Sequence, residues 1–203
     1  MHIHSTLSRP FKLAVVALAL CGLASQVQAQ VVLDTFGPGD TSPGSAWALV
    51  DDQIRQDLAV PFTLGSASTV SSILSSIQGT GAVTVGIMAY DNLIPSGTWL
   101  YSSTVTNPSA NLLLNPAGWT LGAGNYWLAA VASAGFSGTW QGGGTTGTSP
   151  WAFTLNGGWV STGPGDAPSA RITVTAVPEP GTYAMLLAGL AVLAGTAARR
   201  RQR

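Results

Sequence analysis

The stretch Ala82-Val83-Thr84-Val85-Gly86-Ile87-Met88-Ala89-Tyr90 has the most regular pattern in the chain. Every second residue is apolar and belongs to one face, which consists of Val83, Val85, Ile87 and Ala89. A period of two is typical of a β-strand with one face against a hydrophobic core. Because Gly79-Thr80-Gly81 favours a turn just before it, the stretch predicts a strand in an all-β protein.

The neighbouring segments extend this pattern in both directions. Residues 99–105 alternate aromatic and hydroxyl side chains, and the segment Pro95-Ser96-Gly97 before them favours a loop, so a hairpin with a long connection is predicted. Residues 69–77 are ambiguous, because Val70, Ile73 and Ile77 suit a helix while Ile73 and Ile77 also suit a strand. Five Ser and Thr residues in this segment disfavour a helix, and we therefore predict a strand.

Further short strands are predicted at residues 31–33, 47–50, 58–64, 112–114, 126–132, 151–155 and 171–176. Pro61 lacks an amide hydrogen, so the strand at 58–64 is expected at a sheet edge. The continuous apolar run at 126–132 is expected to be buried on both faces. Short strands at this spacing, without a convincing helix, predict a single antiparallel β-sandwich domain of jelly-roll type over residues 30–176.

The N-terminal segment, residues 1–29, has the pattern of a secretory signal peptide. Two basic residues precede the apolar run 13–20, and Val27-Gln28-Ala29 offers the small residues that signal peptidase needs. The large residue before Cys21 disfavours the alternative of a lipoprotein signal. We therefore expect export and a mature chain that begins at Gln30.

The predicted exported part is acidic and sparsely charged. It contains two arginines and seven aspartates, a net charge of minus five (two minus seven). Without clustered Lys and Arg, it is not expected to bind nucleic acid. It also contains no His, Cys or Lys, which excludes Ser-His-Asp and Cys-His catalysis, a Schiff-base lysine, and zinc or copper sites with nitrogen or sulfur ligands. No catalytic residue is predicted.

Aspartates remain as candidates for chemistry. A pair of carboxylates could serve an extracellular glycoside hydrolase, but no spacing marks out such a pair. Asp51-Asp52 with Asp57, or Asp91-Asn92, could hold a structural calcium ion through oxygen ligands. The alternative is that these residues serve turn conformation, for which Asp and Asn are commonly used. No cofactor other than this calcium ion is expected.

All seven tryptophans lie in the predicted exported part. Trp140, Trp151 and Trp159 flank glycine-rich loops, where flat indole faces could stack on sugar rings. The alternative is that they fill the core, as large aromatic residues in small β domains mostly do. The first arrangement predicts a carbohydrate-binding module for a matrix polysaccharide, and the second leaves the role of the domain open.

The last 27 residues, 177–203, form a tail of three parts. Val177, Pro178, Glu179 and Pro180 precede the uncharged run 181–198, and Arg199, Arg200, Arg201 and Arg203 follow it. Eighteen helical residues span roughly 27 Å, close to the thickness of a hydrocarbon core, so the run predicts a transmembrane helix. The arginines are expected to stop its transfer at the cytoplasmic face of the inner membrane.

This tail resembles the PEP-CTERM sorting signal of exported proteins of Gram-negative bacteria. The resemblance implies that residues 177–180 are recognised by an exosortase, a membrane protease thought to cleave near the motif and free the protein for the cell surface or the exopolysaccharide matrix. Residues 34–40, 95–97 and 124–128 also resemble choice-of-anchor domains, which are often found ahead of such tails and imply no catalytic residues. We therefore predict a non-enzymatic exported protein that is held in the inner membrane during sorting.

Overall fold

The computed structural model describes residues 28–52, 55–144, 150–155, 157–177 and 180–201. Within these residues the chain forms fourteen β-strands and one helix. The strands are β1 (Ala29–Asp34), β2 (Ala46–Val50), β3 (Leu58–Leu64), β4 (Ser68–Ser75), β5 (Ile77–Thr80), β6 (Ala82–Asp91), β7 (Ile94–Thr106), β8 (Leu112–Leu114), β9 (Thr120–Leu121), β10 (Gly124–Ala132), β11 (Ser137–Gln141), β12 (Ala152–Leu155), β13 (Gly158–Ser161) and β14 (Ala170–Ala176), and the helix is α1 (Pro180–Arg201). The predicted all-β class is confirmed, although the predicted number of strands is too low.

The strands form three antiparallel sheets in the described part of the chain. The six-stranded sheet has the order β13-β12-β3-β10-β6-β7. The five-stranded sheet has the order β1-β14-β4-β8, and β9 also pairs with β4. The third sheet, β2-β11-β5, is an addition to the two layers that the sequence predicted. The predicted sandwich has two sheets, whereas the described residues form three.

One hydrophobic core receives side chains from all three sheets. Its fully buried members include Val60, Val83, Val85, Ile87 and Leu128 from the six-stranded sheet, Ile73, Ile172 and Val174 from the five-stranded sheet, and Leu49, Ile77 and Trp140 from the third. Val83, Val85 and Ile87 are buried as the alternation predicts, whereas Ala89 is only partly buried and Met88 on the opposite face is buried as well. Burial of this apolar surface is the main term that stabilises the fold.

Two further strand predictions agree with the structure. The ambiguous segment 69–77 is extended, since it forms β4 and the start of β5. β10 lies between β3 and β6, and its residues from Trp127 to Ala130 are all buried. A strand in the middle of a sheet with both faces covered needs such a continuous apolar run.

β3 is not the edge strand that Pro61 predicts. It pairs with β10 along its whole length and with β12 at Leu58 and Ala59. Pairing with β12 ends before Pro61, so the proline lies where one side of β3 has no neighbouring strand. A residue without an amide hydrogen is tolerated there, because no strand on that side requires the missing donor.

β6 and β7 form the predicted hairpin, but their connection is short. Only Asn92 and Leu93 lie between the two strands, with φ angles of 40° and 78°. Positive φ at both residues is the geometry of a two-residue type I′ turn. The segment Pro95-Ser96-Gly97, predicted as a loop, lies inside β7, where the register against β6 is irregular. The prediction of a long connection is therefore wrong.

The start of the described domain and the start of the tail lie side by side. β1 and β14 are antiparallel, and Ala29 pairs with Thr175. The amide of Val177 donates a hydrogen bond to the carbonyl of Ala67 at 3.0 Å, so the tail follows the last strand directly. Residues 1–27 lie outside the described residues, and the signal peptide and the domain boundaries stay predictions.

The helix α1 covers the predicted helical run at 181–198 and continues through Arg201. Gly, Thr and Tyr residues dilute its apolar sequence, and arginines occupy its last turn. Within the described residues, no helix is long and apolar enough to cross a membrane. The predicted transmembrane helix is therefore corrected: a helix is present, but a membrane span is not found. Pro178, Glu179 and Arg203 lie outside the described residues.

Asp166 holds together the loops at one end of the domain. Its carboxylate accepts hydrogen bonds from the amides of Ser45 and Gly144. A Cβ atom added at Gly44 or Gly142 would collide with this carboxylate. Glycine is therefore required at both positions for packing. The glycine-rich segments of the sequence serve, in this region, to surround a carboxylate.

Replacing Leu93 by Gly is expected to stabilise the domain. Leu93 is 62% exposed, and its left-handed backbone costs a residue with a Cβ atom about 1–2 kcal/mol. The greater freedom of glycine in the unfolded chain offsets part of this gain, so the free energy of unfolding in urea should rise by about 0.5–1 kcal/mol. Leu100→Gly is the matched control on β7, and it should destabilise because Leu100 lies in a strand. Equal changes in the free energy of unfolding for the two substitutions would contradict the proposal that Leu93 is strained.

Candidate functional site

The six-stranded sheet buries residues on both of its faces. The face turned away from the main core has its own cluster of buried residues, which are Ala59, Met88, Trp127, Ala129 and Ala152. Four partly exposed residues pack against this cluster: Tyr90, Trp99, Val131 and Trp159. We call this surface the outer face. It brings together aromatic residues that are far apart in the sequence.

A row of small residues crosses the outer face from strand to strand. Ala152 of β12 pairs with Ala59 of β3, Ala59 pairs with Ala129 of β10, and Ala129 pairs with Gly86 of β6. Directly paired residues of antiparallel strands lie on the same face. Four strands at about 4.8 Å spacing give a row roughly 15 Å long. Ala59, Ala129 and Ala152 are fully buried and do not line a groove themselves, so larger side chains of the outer face cover the row.

Larger side chains form walls on both sides of this row. On one side, Met88 pairs with both Trp127 and Trp99. On the other side, Trp159 of β13 pairs with Thr154 of β12. The strands β7 and β13 contact each other although they occupy opposite edges of the sheet. The sheet is therefore strongly curled, and this curl brings the two walls together into a groove.

The groove has a volume of about 330 Å³. Trp99 and Trp159 line it together with Arg55, Asp57 and Thr154. This volume lies near the lower end of the range for small-molecule sites, about 300–1,000 Å³. Such sites usually have apolar walls with a few polar groups, whereas the exposed lining of this groove is mainly polar beside its two indoles.

Asp57 lies at one end of the groove and is only 5% exposed. Its Oδ1 accepts a hydrogen bond from the amide of Ala132 at 2.9 Å, and its Oδ2 accepts one from Oγ1 of Thr154 at 3.2 Å. Its own amide donates to the same Oγ1 at 2.8 Å. Burial of a carboxylate is tolerated when its oxygens are hydrogen-bonded. Asp57 therefore ties the start of β3 to β10 and β12.

Arg55 lies at the rim of the groove beside this carboxylate. Its side chain is 46% exposed, and its Nε lies 3.3 Å from Oδ2 of Asp57 and 3.8 Å from Oδ1 of Asp51. Both ion pairs run through Nε. Within the described residues no acceptor is found for the terminal amino groups, which could donate to a ligand that enters the groove.

Trp127 has a buried polar atom beneath the outer face and does not line the groove. Its side chain is 1% exposed and stacks on Tyr90, with ring centroids 6.1 Å apart. Its Nε1 is buried and has no hydrogen-bond partner among the described protein groups. A buried donor without a partner costs about 1–3 kcal/mol.

Two of the three tryptophans predicted to stack on sugars lie in the main core. Trp140 is 0% exposed, and its Nε1 donates a hydrogen bond to the carbonyl of Ser169 at 2.8 Å. Trp151 is 6% exposed and packs on Trp47 with ring centroids 4.5 Å apart. Neither indole presents a face to solvent, so the predicted stacking role is wrong for both.

Trp159 is the predicted residue that does line the groove, and Trp99 is its counterpart. The sequence predicts that Trp99 lies in a strand, but it assigns no function to this residue. The segment Pro95-Ser96-Gly97 could have indicated a role for Trp99. Proline and glycine inside a strand indicate a bulge, and a bulge changes the direction of the side chains next to it. The register irregularity of β7 lies at this place and next to Trp99.

The predicted calcium site receives no support from this geometry. The described residues contain no group of three or more His, Cys, Asp or Glu side chains placed to hold a metal ion. Arg55 lies between Asp51 and Asp57 and supplies positive charge at the place proposed for calcium. Asp91 ends β6 immediately before the two-residue turn, which is the turn role that was the alternative.

Comparison with known families concerns the tail. Residues 176–202 match the family model of the PEP-CTERM protein-sorting motif. The chain therefore has the sorting signal of an exported protein that is processed by an exosortase, with membrane-associated sorting and then surface display. No curated protein matches the chain.

Asp57→Asn is expected to lower the free energy of unfolding by about 1–3 kcal/mol, because an amide presents a donor where the carboxylate accepts hydrogen bonds. Asp51→Asn is the matched control in the same segment. Asp51 is one-quarter exposed and lies 3.8 Å from Arg55, so its replacement should change the free energy by less than about 0.5 kcal/mol. Urea unfolding followed by tryptophan fluorescence measures both, and equally small losses would contradict the role assigned to Asp57.

Proposed function

We propose that this is a non-enzymatic exported protein of the cell surface or exopolysaccharide matrix, where the groove on its outer face binds carbohydrate. Export and sorting rest on the PEP-CTERM motif at residues 176–202. The observation in favour of carbohydrate binding is that two partly exposed indoles, Trp99 and Trp159, line one groove.

The chemistry of the groove suits a sugar ring. A pyranose has apolar C–H faces and a rim of hydroxyl groups, so it pairs with flat aromatic faces and with polar groups beside them. The two indoles offer large apolar faces at a low cost in conformational entropy. Arg55 places a charged donor at the same groove, whereas the hydroxyl of Thr154 is already hydrogen-bonded to Asp57. This combination favours a hydroxyl-rich ligand over a purely apolar one.

The carboxylates of the groove favour binding over hydrolysis. Glycosidases commonly use two carboxyl groups about 5–10 Å apart, one of which must accept or donate a proton. Among the described residues, Asp57 is the one carboxylate that lines the groove. Both of its oxygens accept hydrogen bonds from protein donors. A residue that is fixed in this way serves structure better than proton transfer.

The position of the tail supports display of the groove. The tail is bonded to Ala67, just beyond the end of β3, whereas Asp57 precedes the start of that strand. The seven residues of β3 span about 23 Å. The charged end of the groove therefore lies at the opposite end of β3 from the tail. Engagement of the tail by a sorting enzyme would leave this end accessible.

Trp99→Ala and Trp159→Ala are each expected to weaken binding of the producing strain's exopolysaccharide at least tenfold, because each removes one stacking face. A tenfold loss corresponds to about 1.4 kcal/mol. Val160→Ala is the matched control, since Val160 neighbours Trp159 on β13, is 50% exposed and points to the opposite face.

Isothermal titration calorimetry with the purified polysaccharide measures these affinities. Circular dichroism of each variant shows whether it is folded. The binding proposal fails if the wild-type protein gives no heat at millimolar sugar equivalents. It also fails if folded Trp99→Ala and Trp159→Ala proteins bind as tightly as wild type.

Glu179→Ala is expected to block processing of the tail and to leave the full-length form cell-associated. Glu179 is the sole glutamate of the chain and lies between two prolines, which favour an extended segment that an enzyme can read. Thr182→Ala, three residues away, is the control and should be processed normally. Mass spectrometry of the surface-located protein gives its C-terminus. A wild-type protein that still ends at Arg203 would show that no processing occurs.

A further inference from the structure

We infer that the groove selects neutral polysaccharides and disfavours acidic ones that contain uronic acids. This inference rests on the carbohydrate binding proposed above and adds the chemical class of the ligand. The observations behind it are the charges in and beside the groove and the hydrogen bonds that already engage them.

The charged groups at the groove sum to a negative value. Arg55 and Asp57 line it, and Asp51 lies 3.8 Å from the Nε of Arg55. One guanidinium and two carboxylates give a local charge of minus one (one minus two). Asp52 is next in sequence to Asp51 and adds further negative charge to the segment. Arg55 is thus a donor of hydrogen bonds whose positive charge is already compensated.

The other arginine between residues 30 and 177, Arg171, is paired with two other aspartates. Nη2 of Arg171 lies 2.9 Å from Oδ2 of Asp34 and 2.7 Å from Oδ1 of Asp40. These hydrogen bonds raise the pKa of Arg171 above its usual value. Arg171 belongs to β14 in the five-stranded sheet, away from the outer face of the six-stranded sheet. It therefore offers no compensation for an acidic ligand in the groove.

A uronic acid would meet repulsion at this site. Its carboxylate could pair with the terminal amino groups of Arg55, but it would then lie close to Asp57 and Asp51. Coulomb energy varies as the inverse of distance, so repulsion by two nearby carboxylates offsets attraction by one guanidinium. The net charge of minus five on the exported part adds a weaker, long-range repulsion of any polyanion.

A neutral sugar avoids this repulsion and can still use the same groups. A hydroxyl oxygen can accept a hydrogen bond from the terminal amino groups of Arg55, and a hydroxyl hydrogen can be donated to an aspartate oxygen. The indole faces of Trp99 and Trp159 bind the apolar faces of a ring whether or not it is charged.

The test compares sugars that differ only in the charged group at carbon 6. The full-length protein is titrated with β-1,4-linked mannose hexamers and with β-1,4-linked mannuronate hexamers, and likewise with matched galactose and galacturonate hexamers, at 50 mM and 500 mM NaCl. We expect at least one neutral hexamer to bind tenfold or more tighter than its uronate partner at low salt. Its affinity should change less than twofold between the two salt concentrations, because no net charge is paired on binding.

A charge variant tests the cause of the preference. Asp51→Asn removes one negative charge beside Arg55 without altering the residues that line the groove. It should raise the affinity for the uronate hexamer about threefold and leave the affinity for the neutral hexamer within twofold. No gain for the uronate hexamer in a folded Asp51→Asn protein would contradict the electrostatic explanation.

The outcomes separate this inference from the proposed function. A uronate hexamer that binds as tightly as its neutral partner, or tighter, would overturn the inference while carbohydrate binding stands. Absence of binding to every hexamer and to the producer's exopolysaccharide would overturn both. Tight neutral binding that persists in Trp99→Ala and Trp159→Ala would place the ligand outside the groove and overturn the inference as well.

Discussion

The rest of the structure depends on one constraint: the six-stranded sheet must bury both of its faces. β3, β10 and β6 lie at its centre, and their inner residues, such as Val85 and Leu128, build the main core. Their outer residues cannot be left to water either, because Trp127 and Met88 are large and apolar. The sheet covers them by curling until β7 and β13 meet. The groove exists because this second burial is incomplete.

Asp57 links the packing of the sheet to the chemistry of the groove. Its hydrogen bonds to Ala132 and Thr154 fix three strands at one end of the sheet, and its contact with Arg55 sets the guanidinium at the rim. Removal of this carboxylate lowers the stability of the fold, because the groups that donate hydrogen bonds to it would be left unpaired. The same residue that looked like a candidate for metal binding or hydrolysis in the sequence therefore acts as a structural tie that also gives the groove its charge.

The sequence predicts the strands well where burial alone determines the pattern of apolar residues. The alternation from Val83 to Ile87 and the apolar run of β10 report burial directly, and burial is what the structure shows. Long-range pairing is not encoded locally. Trp140 and Trp159 both lie in short strands near glycines, yet one belongs to the third sheet inside the core and the other to the edge of the outer face. Only the strand order distinguishes them, and neither periodicity nor composition contains that order.

The central claim is that the outer face binds carbohydrate through its groove, and indole NMR tests it most directly. The seven tryptophans give seven Nε1–H signals, which can be assigned by single Trp→Phe substitutions. During titration with the producer's exopolysaccharide oligomers, the signals of Trp99 and Trp159 should shift, while the core residue Trp140 serves as an internal reference and stays unchanged. Shifts of Trp140 alone, or no shift at any indole at millimolar sugar, would contradict the account.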